Sequence, residues 1–129
     1  MQLQRIAKIS SVIWAAVIGV LMLLPQDAFP ESKLLSYDKL AHVAVFAGLS
    51  FLLCLGWIRR QTKTAIKSYG IPLTICIVYG SLLEFLQRFV PGRMFDLYDF
   101  IANFTGGLVG VIIFSIFIRQ KFVINKLML

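Results

Sequence analysis

Apolar residues along this chain fall into long runs, separated by short stretches that hold most of the charged residues. A helix needs about 20 mainly apolar residues to cross the hydrocarbon core of a bilayer. Several runs reach that length, and each predicts a transmembrane helix: residues 6–24, 39–58, 69–90 and 98–118. Pro25 and Pro91 follow the first and third runs, and Pro72 lies in a first helical turn, where proline is tolerated. We expect the first run to be retained, since no small-residue cleavage site follows it.

The basic residues indicate how these helices are oriented. They are concentrated at the N-terminus, between the second and third runs, and in the C-terminal tail. The other two connections mix acidic and basic residues. Because cytoplasmic loops carry an excess of Lys and Arg, we predict that both termini are cytoplasmic. The fold class is then an all-α integral membrane protein, a four-helix up-down transmembrane bundle that forms one domain over residues 1–129.

Composition agrees with a membrane protein. The chain is 59% hydrophobic and 15% charged, its mean hydropathy is +0.84, and soluble domains are nearer to about 25% charged. A net charge of +7 would suggest nucleic acid as the partner of a soluble protein. Here the basic residues lie between apolar runs, so nucleic-acid binding is not expected. Cys54 and Cys76 lie inside apolar runs and are interpreted as packing residues.

Polar and charged residues gather at the helix ends that are predicted to face outward. Such residues are expensive within a membrane and are functional candidates by default. They are Asp38, Lys39, His42, Glu84, Gln87, Arg88, Arg93, Asp96, Asp99 and Asn103. Asp38 and His42 are four residues apart and share a helix face. Glu84, His42 and Asn103 each lie about one turn inside their helices, so we expect them to meet at one level.

The fourth run carries a stripe of polar and small residues. Asp99, Asn103, Gly106 and Gly110 follow one another at helical spacing. Glycines four residues apart let helices approach closely in lipid. We therefore expect this stripe to face protein rather than lipid.

The gathered acids and His42 offer several kinds of chemistry. Glu84 in a poorly hydrated site could act as a general acid or base, and Asp38 could orient His42. His42, Glu84 and Asp99 could also bind a metal, but their spacing matches no standard motif. We therefore predict no metal and no other cofactor.

The basic residues of the same group suggest an anionic ligand. Lys39, Arg88 and Arg93 could hold a phosphate or carboxylate head group. The alternative is that the polar residues bond only to one another and fix the helices together. Glu84 and Arg88, four residues apart, would then form a structural ion pair.

The order of these residues resembles the VanZ-like family of bacterial membrane proteins. The resemblance covers residues 38–110. Its pieces are Asp38-Lys39-x-x-His42-x-x-x-Phe46, Glu84-x-x-Gln87 and Arg93-x-x-Asp96-x-x-Asp99-x-x-x-Asn103-x-x-Gly106, with Gly110 beyond. Arg88 does not belong to this pattern.

The resemblance implies a site and a cellular setting. The candidate catalytic residues are Glu84, His42 and Asp99, and the candidate substrate-binding residues are Lys39, Arg93, Gln87, Asn103, Asp38 and Asp96. The founding member of the family is associated with resistance to teicoplanin, a lipid-bearing glycopeptide. We therefore expect a multi-pass protein of the bacterial cytoplasmic membrane that binds or modifies an envelope lipid or a lipid-linked cell-wall component. The sequence leaves open whether it is an enzyme.

Two other functions are compatible with the sequence. The protein could be a non-enzymatic scaffold or shielding protein, in which the polar residues are structural and the Gly106–Gly110 face contacts another chain. Separately, the protein could form a homo-oligomer. A transporter is less favoured, because transporter sites lie near the midplane of the membrane, whereas the polar residues here lie at one end.

Overall fold

The computed structural model describes residues 2–25, 27, 35–57 and 66–127. Over these ranges the chain is helical and contains no strand. The α-helices are α1 (Gln2–Leu23), α2 (Leu35–Trp57), α3 (Ile71–Leu86) and α4 (Leu97–Leu127). A π-helical turn (Ile66–Gly70) leads into α3, and a 3-10 turn (Gln87–Phe89) follows it.

The apolar runs predicted the number and order of these helices, but not all of their ends. Pro72 lies in the first turn of α3 as predicted. The fourth helix, expected to end at residue 118, continues to Leu127. Arg119 and Lys121 are good helix formers, and no glycine or proline follows Gly110 to end the helix. The charged residues therefore mark the end of the apolar segment, whereas the helix itself runs on.

All four helices are long and apolar enough to cross a membrane. The candidate spans are Gln2–Leu23, Asp38–Trp57, Ser68–Phe89 and Leu97–Gln120. Large apolar side chains cover their outer surfaces, such as Val12 and Val20 on α1 and Ile112 on α4. A surface of that kind is stable in lipid and unfavourable in water. The chain is therefore a multi-pass membrane protein.

The closest helix packing is between α2 and α4. A Cβ atom added to Gly106 would lie 2.5 Å from the carbonyl oxygen of Val43, and one added to Gly110 would overlap the carbonyl of Ala47. The expectation that the glycine stripe faces protein is confirmed. Within one chain α2 occupies this face, so it is not exposed for a contact with another chain. Homo-oligomerisation stays a prediction.

The order of contacts gives the relative directions of the helices. Trp14 of α1 donates to the carbonyl of Val45, near the middle of α2, and Lys8 lies over the ring of Trp57 at 5.4 Å, so α1 and α2 are antiparallel. Ser50 of α2 donates to the carbonyl of Gly107, and the matching order of contacts makes α2 and α4 parallel. The up-down arrangement across a membrane and the side of the termini stay predictions.

One end of the helices is polar and the middle is apolar. The apolar core contains Ile18, Phe46, Leu49, Cys76 and Leu83, and both cysteines are buried and unpaired. The end of α1, the start of α2, the end of α3 and the start of α4 meet at one end of the molecule, which we call the polar end.

Candidate functional site

The polar end brings together the residues that the sequence marked as a site. We call this group the polar cluster: Asp38, Lys39, His42, Glu84, Gln87, Arg93, Asp96, Asp99 and Asn103. Helix α2 contributes three of them, α4 contributes Asp99 and Asn103, and Glu84 comes from the last turn of α3. His42, Glu84, Gln87, Asp99 and Asn103 are buried.

The inner layer of the polar cluster is a hydrogen-bonded chain of three buried side chains. Nδ2 of Asn103 donates to Oε1 of Glu84 at 3.4 Å, and Oδ1 of Asn103 lies 2.7 Å from Nδ1 of His42. An amide oxygen can only accept, so Nδ1 of His42 carries the hydrogen. In the neutral imidazole this leaves the lone pair on Nε2. As expected from the sequence, His42, Glu84 and Asn103 lie together at one level.

The outer layer is an ion-pair network around Lys39. Its Nζ lies 2.9 Å from Oδ1 of Asp99 and 3.1 Å from Oδ2 of Asp96. Lys39 and Asp96 are each about two-fifths exposed, whereas the side chain of Asp99 is 10% exposed. The backbone N–H of Tyr98 donates to Oδ1 of Asp96 at 2.8 Å and lowers the pKa of Asp96.

His42 connects the two layers. Its Nε2 lies 3.8 Å from Oδ1 of Asp38, and its Nδ1 lies 3.9 Å from Oε1 of Glu84. One ligand atom from each of Asp38, His42 and Asp99 lies within 4.8 Å of the others. The sequence placed Glu84 in the metal alternative, but in the structure Asp38 takes that position and Glu84 lies on the other side of the ring.

Glu84 is the most deeply buried acid of the polar cluster. Glu84 is 0% exposed, and its Oε2 has no hydrogen-bond partner. The predicted ion pair with Arg88 is wrong, because no salt bridge joins these two described residues. α3 ends before Arg88 and gives way to the 3-10 turn Gln87–Phe89, which changes the register. The guanidinium of Arg88 lies over the rings of Phe85 and Phe95, at 5.5 and 5.1 Å.

Two predicted substrate-binding residues contact the end of α1. Nε2 of Gln87 donates to the carbonyl of Met22 at 2.9 Å, and Nε of Arg93 donates to the carbonyl of Leu24 at 3.1 Å. The last four carbonyls of a helix have no partner within it. Gln87 supplies a partner for the carbonyl of Met22, and Arg93 binds the carbonyl of Leu24, one residue after α1 ends. α1 carries no motif residue, yet it holds one side of the polar cluster in place.

A family profile, VanZ/LLP1, matches residues 2–118, which is nearly the whole chain and includes the entire polar cluster. The chain belongs to the VanZ/LLP1 family. It is also similar to "Uncharacterized protein C11E3.10" of Schizosaccharomyces pombe, with 29% identity over 85 residues. That match covers 65% of this chain and 50% of the relative, so the chain spans about half the length of the curated relative. No solved structure matches the chain.

The geometry shows which of the predicted site residues lie close together. Lys39 and His42 contact Asp99 and Asn103 across the α2–α4 interface, Asp38 lies beside His42 on α2, and Gly106 and Gly110 lie in the same interface.

Sequence reasoning missed the residue that closes the inner side of the cluster. A Cβ atom on Gly80 of α3 would lie 3.2 Å from Cβ of Asn103 and 3.2 Å from the ring of Phe46. Phe46, which is 0% exposed and belongs to the apolar core, borders the cluster on this side. A glycine one turn before Glu84, on the same face, was the signal available in the sequence.

Proposed function

We propose that this VanZ/LLP1 protein binds or modifies the polar head group of an envelope lipid or lipid-linked cell-wall component. The proposal places it in a bacterial cytoplasmic membrane as an up-down bundle with cytoplasmic termini, so that the polar end faces outward. The observation that carries it is the burial of His42, Asn103 and Glu84, which are joined by hydrogen bonds, and of Asp99, in a protein whose other core residues are mostly apolar.

The two layers suit two tasks. The outer layer lies at the helix ends and is partly exposed, at the level where lipid head groups lie. The inner layer is buried and contains Glu84 and His42, which are the residue types that transfer protons in catalysis. A head group bound at Lys39 would lie close to His42, because Lys39 contacts Asp99 and the ligand atoms of Asp99 and His42 are within 4.8 Å of each other.

The alternative is a non-enzymatic scaffold in which the polar cluster is a structural network. The specific observation that favours it is that the expected donors are already used within the protein. Lys39 is held by two aspartates, and Gln87 and Arg93 donate to carbonyls at the end of α1. Under this alternative the cluster fixes the helix ends, and the surface of the protein shields its target from a lipid-bearing antibiotic.

The first test compares teicoplanin susceptibility in a sensitive Gram-positive host. The strains would express wild type, Glu84→Gln, Asp99→Asn and the control Asp27→Asn, with the amount of protein in the membrane measured in each. Asp27 is an exposed residue outside the polar cluster, so its substitution repeats the chemical change without touching the site. We expect protection by wild type and Asp27→Asn, and its loss in the other two at equal abundance.

Other results separate the two functions. Full protection by Glu84→Gln and Asp99→Asn would favour the scaffold, because shape alone would then be sufficient. Absence of only these two variants from the membrane would also favour a structural network. No protection by wild type would remove the link to teicoplanin and leave lipid binding to be measured directly with the purified protein.

A further inference from the structure

Asp38, His42 and Asp99 form a compact set of metal-ligand types at the polar end. Their ligand atoms lie within 4.8 Å of one another, and His42 and Asp99 are buried. Two carboxylates and one imidazole are a donor set that suits Mn²⁺, Zn²⁺ and similar transition dications. The residues come from α2 and α4, whose backbones are in contact just below them.

The histidine already has the orientation of a metal ligand. Because Nδ1 of His42 donates to Asn103, the Nε2 lone pair is directed to the side on which Asp38 lies. Metal-binding histidines nearly always donate their other N–H to a fixed acceptor, which sets the tautomer and the plane of the ring. Asn103 is itself oriented by its bond to Glu84, and neither residue belongs to the ligand set.

A separate observation is a buried carboxylate, that of Glu84, on the other side of the His42 ring from Asp38. Glu84 is 0% exposed and its Oε2 has no hydrogen-bond partner. Its other oxygen is 3.9 Å from His42, so the carboxylate lies against the ring from behind. Acids outnumber Lys and Arg in the polar cluster as defined above. An uncompensated buried carboxylate is expensive, and a dication on the far side of the imidazole would offset it.

We propose that Asp38, His42 and Asp99 bind one divalent transition-metal ion, and that this ion contacts the phosphate of the lipid head group. The second half of the statement rests on the proposed function. Lys39 binds Asp99 through Oδ1, and a carboxylate has a second oxygen with which to bind a metal. A cluster rich in carboxylates would repel a phosphate, whereas a metal held by carboxylates commonly completes its coordination with phosphate oxygens. The sequence favoured no metal because the set it offered, His42, Glu84 and Asp99, matches no standard motif.

The test begins with the metal alone. The full chain would be purified in detergent, stripped with a chelator and titrated with Mn²⁺, with free Mn²⁺ measured by its EPR signal and Zn²⁺ used as a competitor. We expect one ion per chain in wild type and in Asp27→Asn. Asp38→Asn and His42→Asn should weaken binding strongly, and Asn103→Ala, which removes the partner of His42, should weaken it by about 10- to 100-fold.

Folding can be separated from binding in this design. The side chain of Asp38 is 44% exposed, so Asp38→Asn should keep the helical circular dichroism of wild type even if the His42 variant does not. Equal Mn²⁺ affinity in Asp38→Asn and Asp27→Asn would overturn the proposal, as would no binding to wild type. Loss of affinity in folded Asp38→Asn would support it.

Lipid binding is measured separately, so that the two proposals can fail independently. The protein would be placed in nanodiscs of phosphatidylcholine, with and without phosphatidic acid. We expect phosphatidic acid to tighten Mn²⁺ binding in wild type, and Mn²⁺ to raise phosphatidic acid binding. Binding of phosphatidic acid that is unchanged by Mn²⁺ or chelator would overturn the metal contact and leave the proposed function standing. Mn²⁺ binding without any lipid effect would support the ligand set, overturn the head-group contact and count against the proposed function.

Discussion

The α2–α4 interface predicts different effects for substitutions at two neighbouring glycines. In Gly106→Ala the new methyl carbon would lie 2.5 Å from the backbone oxygen of Val43 and 2.9 Å from Cβ of Phe46. Backbone cannot rotate away, so the helices must separate by several tenths of an ångström. Overpacking of this kind costs about 1–3 kcal/mol, and alanine returns about 1 kcal/mol of helix propensity. Because backbone is the obstacle, we expect an overpacking cost in the upper part of this range. After the gain in helix propensity, the folded protein should lose about 1–2 kcal/mol of stability.

Gly107→Ala is the matched control. Its methyl carbon would meet Cδ1 of Leu73 at 3.2 Å and Cβ of Cys76 at 3.4 Å. The end of the leucine can move, so the propensity gain dominates and stability should be unchanged or raised by up to about 1 kcal/mol. Unfolding in mixed detergent and SDS micelles, followed by far-ultraviolet circular dichroism, measures both. If Gly106→Ala were as stable as Gly107→Ala, the close contact of α2 and α4 would not be a feature of the folded protein.

Two further substitutions test the polar cluster by the same unfolding measurement. Asn103→Leu leaves the Nδ1–H of His42 and Oε1 of Glu84 without partners. Each unsatisfied buried group costs about 1–3 kcal/mol, so the variant should destabilise the folded protein by several kcal/mol. Wild-type stability would mean that other groups satisfy both atoms. Asp96 has a lowered pKa because Tyr98 donates to it, so its contribution is present above about pH 4 and disappears as the pH falls through the lowered value. Asp96→Asn should therefore cost less than about 1 kcal/mol at pH 7, and its melting temperature should converge with that of wild type in acid. A difference between the two that grew as the pH fell would contradict this sign.

Hydropathy was sufficient for the helices because the membrane imposes a single strong condition on them. Each span must be long and apolar, and that condition is visible in one sequence. Helix ends are set by weaker effects. The fourth helix continues through Arg119 and Lys121 because no residue there stops it, while the third ends at Leu86, four residues before its apolar run does. Charge and apolarity alone could not distinguish the end of a membrane span from the end of a helix.

The sequence predicted the site contacts that residue spacing along a helix fixes. It missed the contacts that depend on how each helix is rotated about its own axis. Asp38 and His42 lie on one face by spacing alone, and their contact follows. Spacing within one helix cannot say which neighbour a side chain meets, because each helix can rotate about its own axis. The polar contacts that Gln87 and Arg93 make with carbonyls at the end of α1 are of this second kind. The pairing of Arg88 with Glu84 fails for another reason, because α3 ends before Arg88 and the 3-10 turn changes the register.

The glycines and the polar residues of α4 work as one unit. Aspartate and asparagine have short side chains, and helices usually pack with axes about 8–10 Å apart. The 2.7 Å contact of Asn103 with His42 requires α2 and α4 to be close, and the glycine at Gly106, one turn further along the same face, permits that approach. In this chain the glycine sets the distance across which the polar residues bond. A substitution at Gly106 should therefore weaken Mn²⁺ binding at Asp99 and His42, although Gly106 offers no ligand, and Gly107→Ala should not.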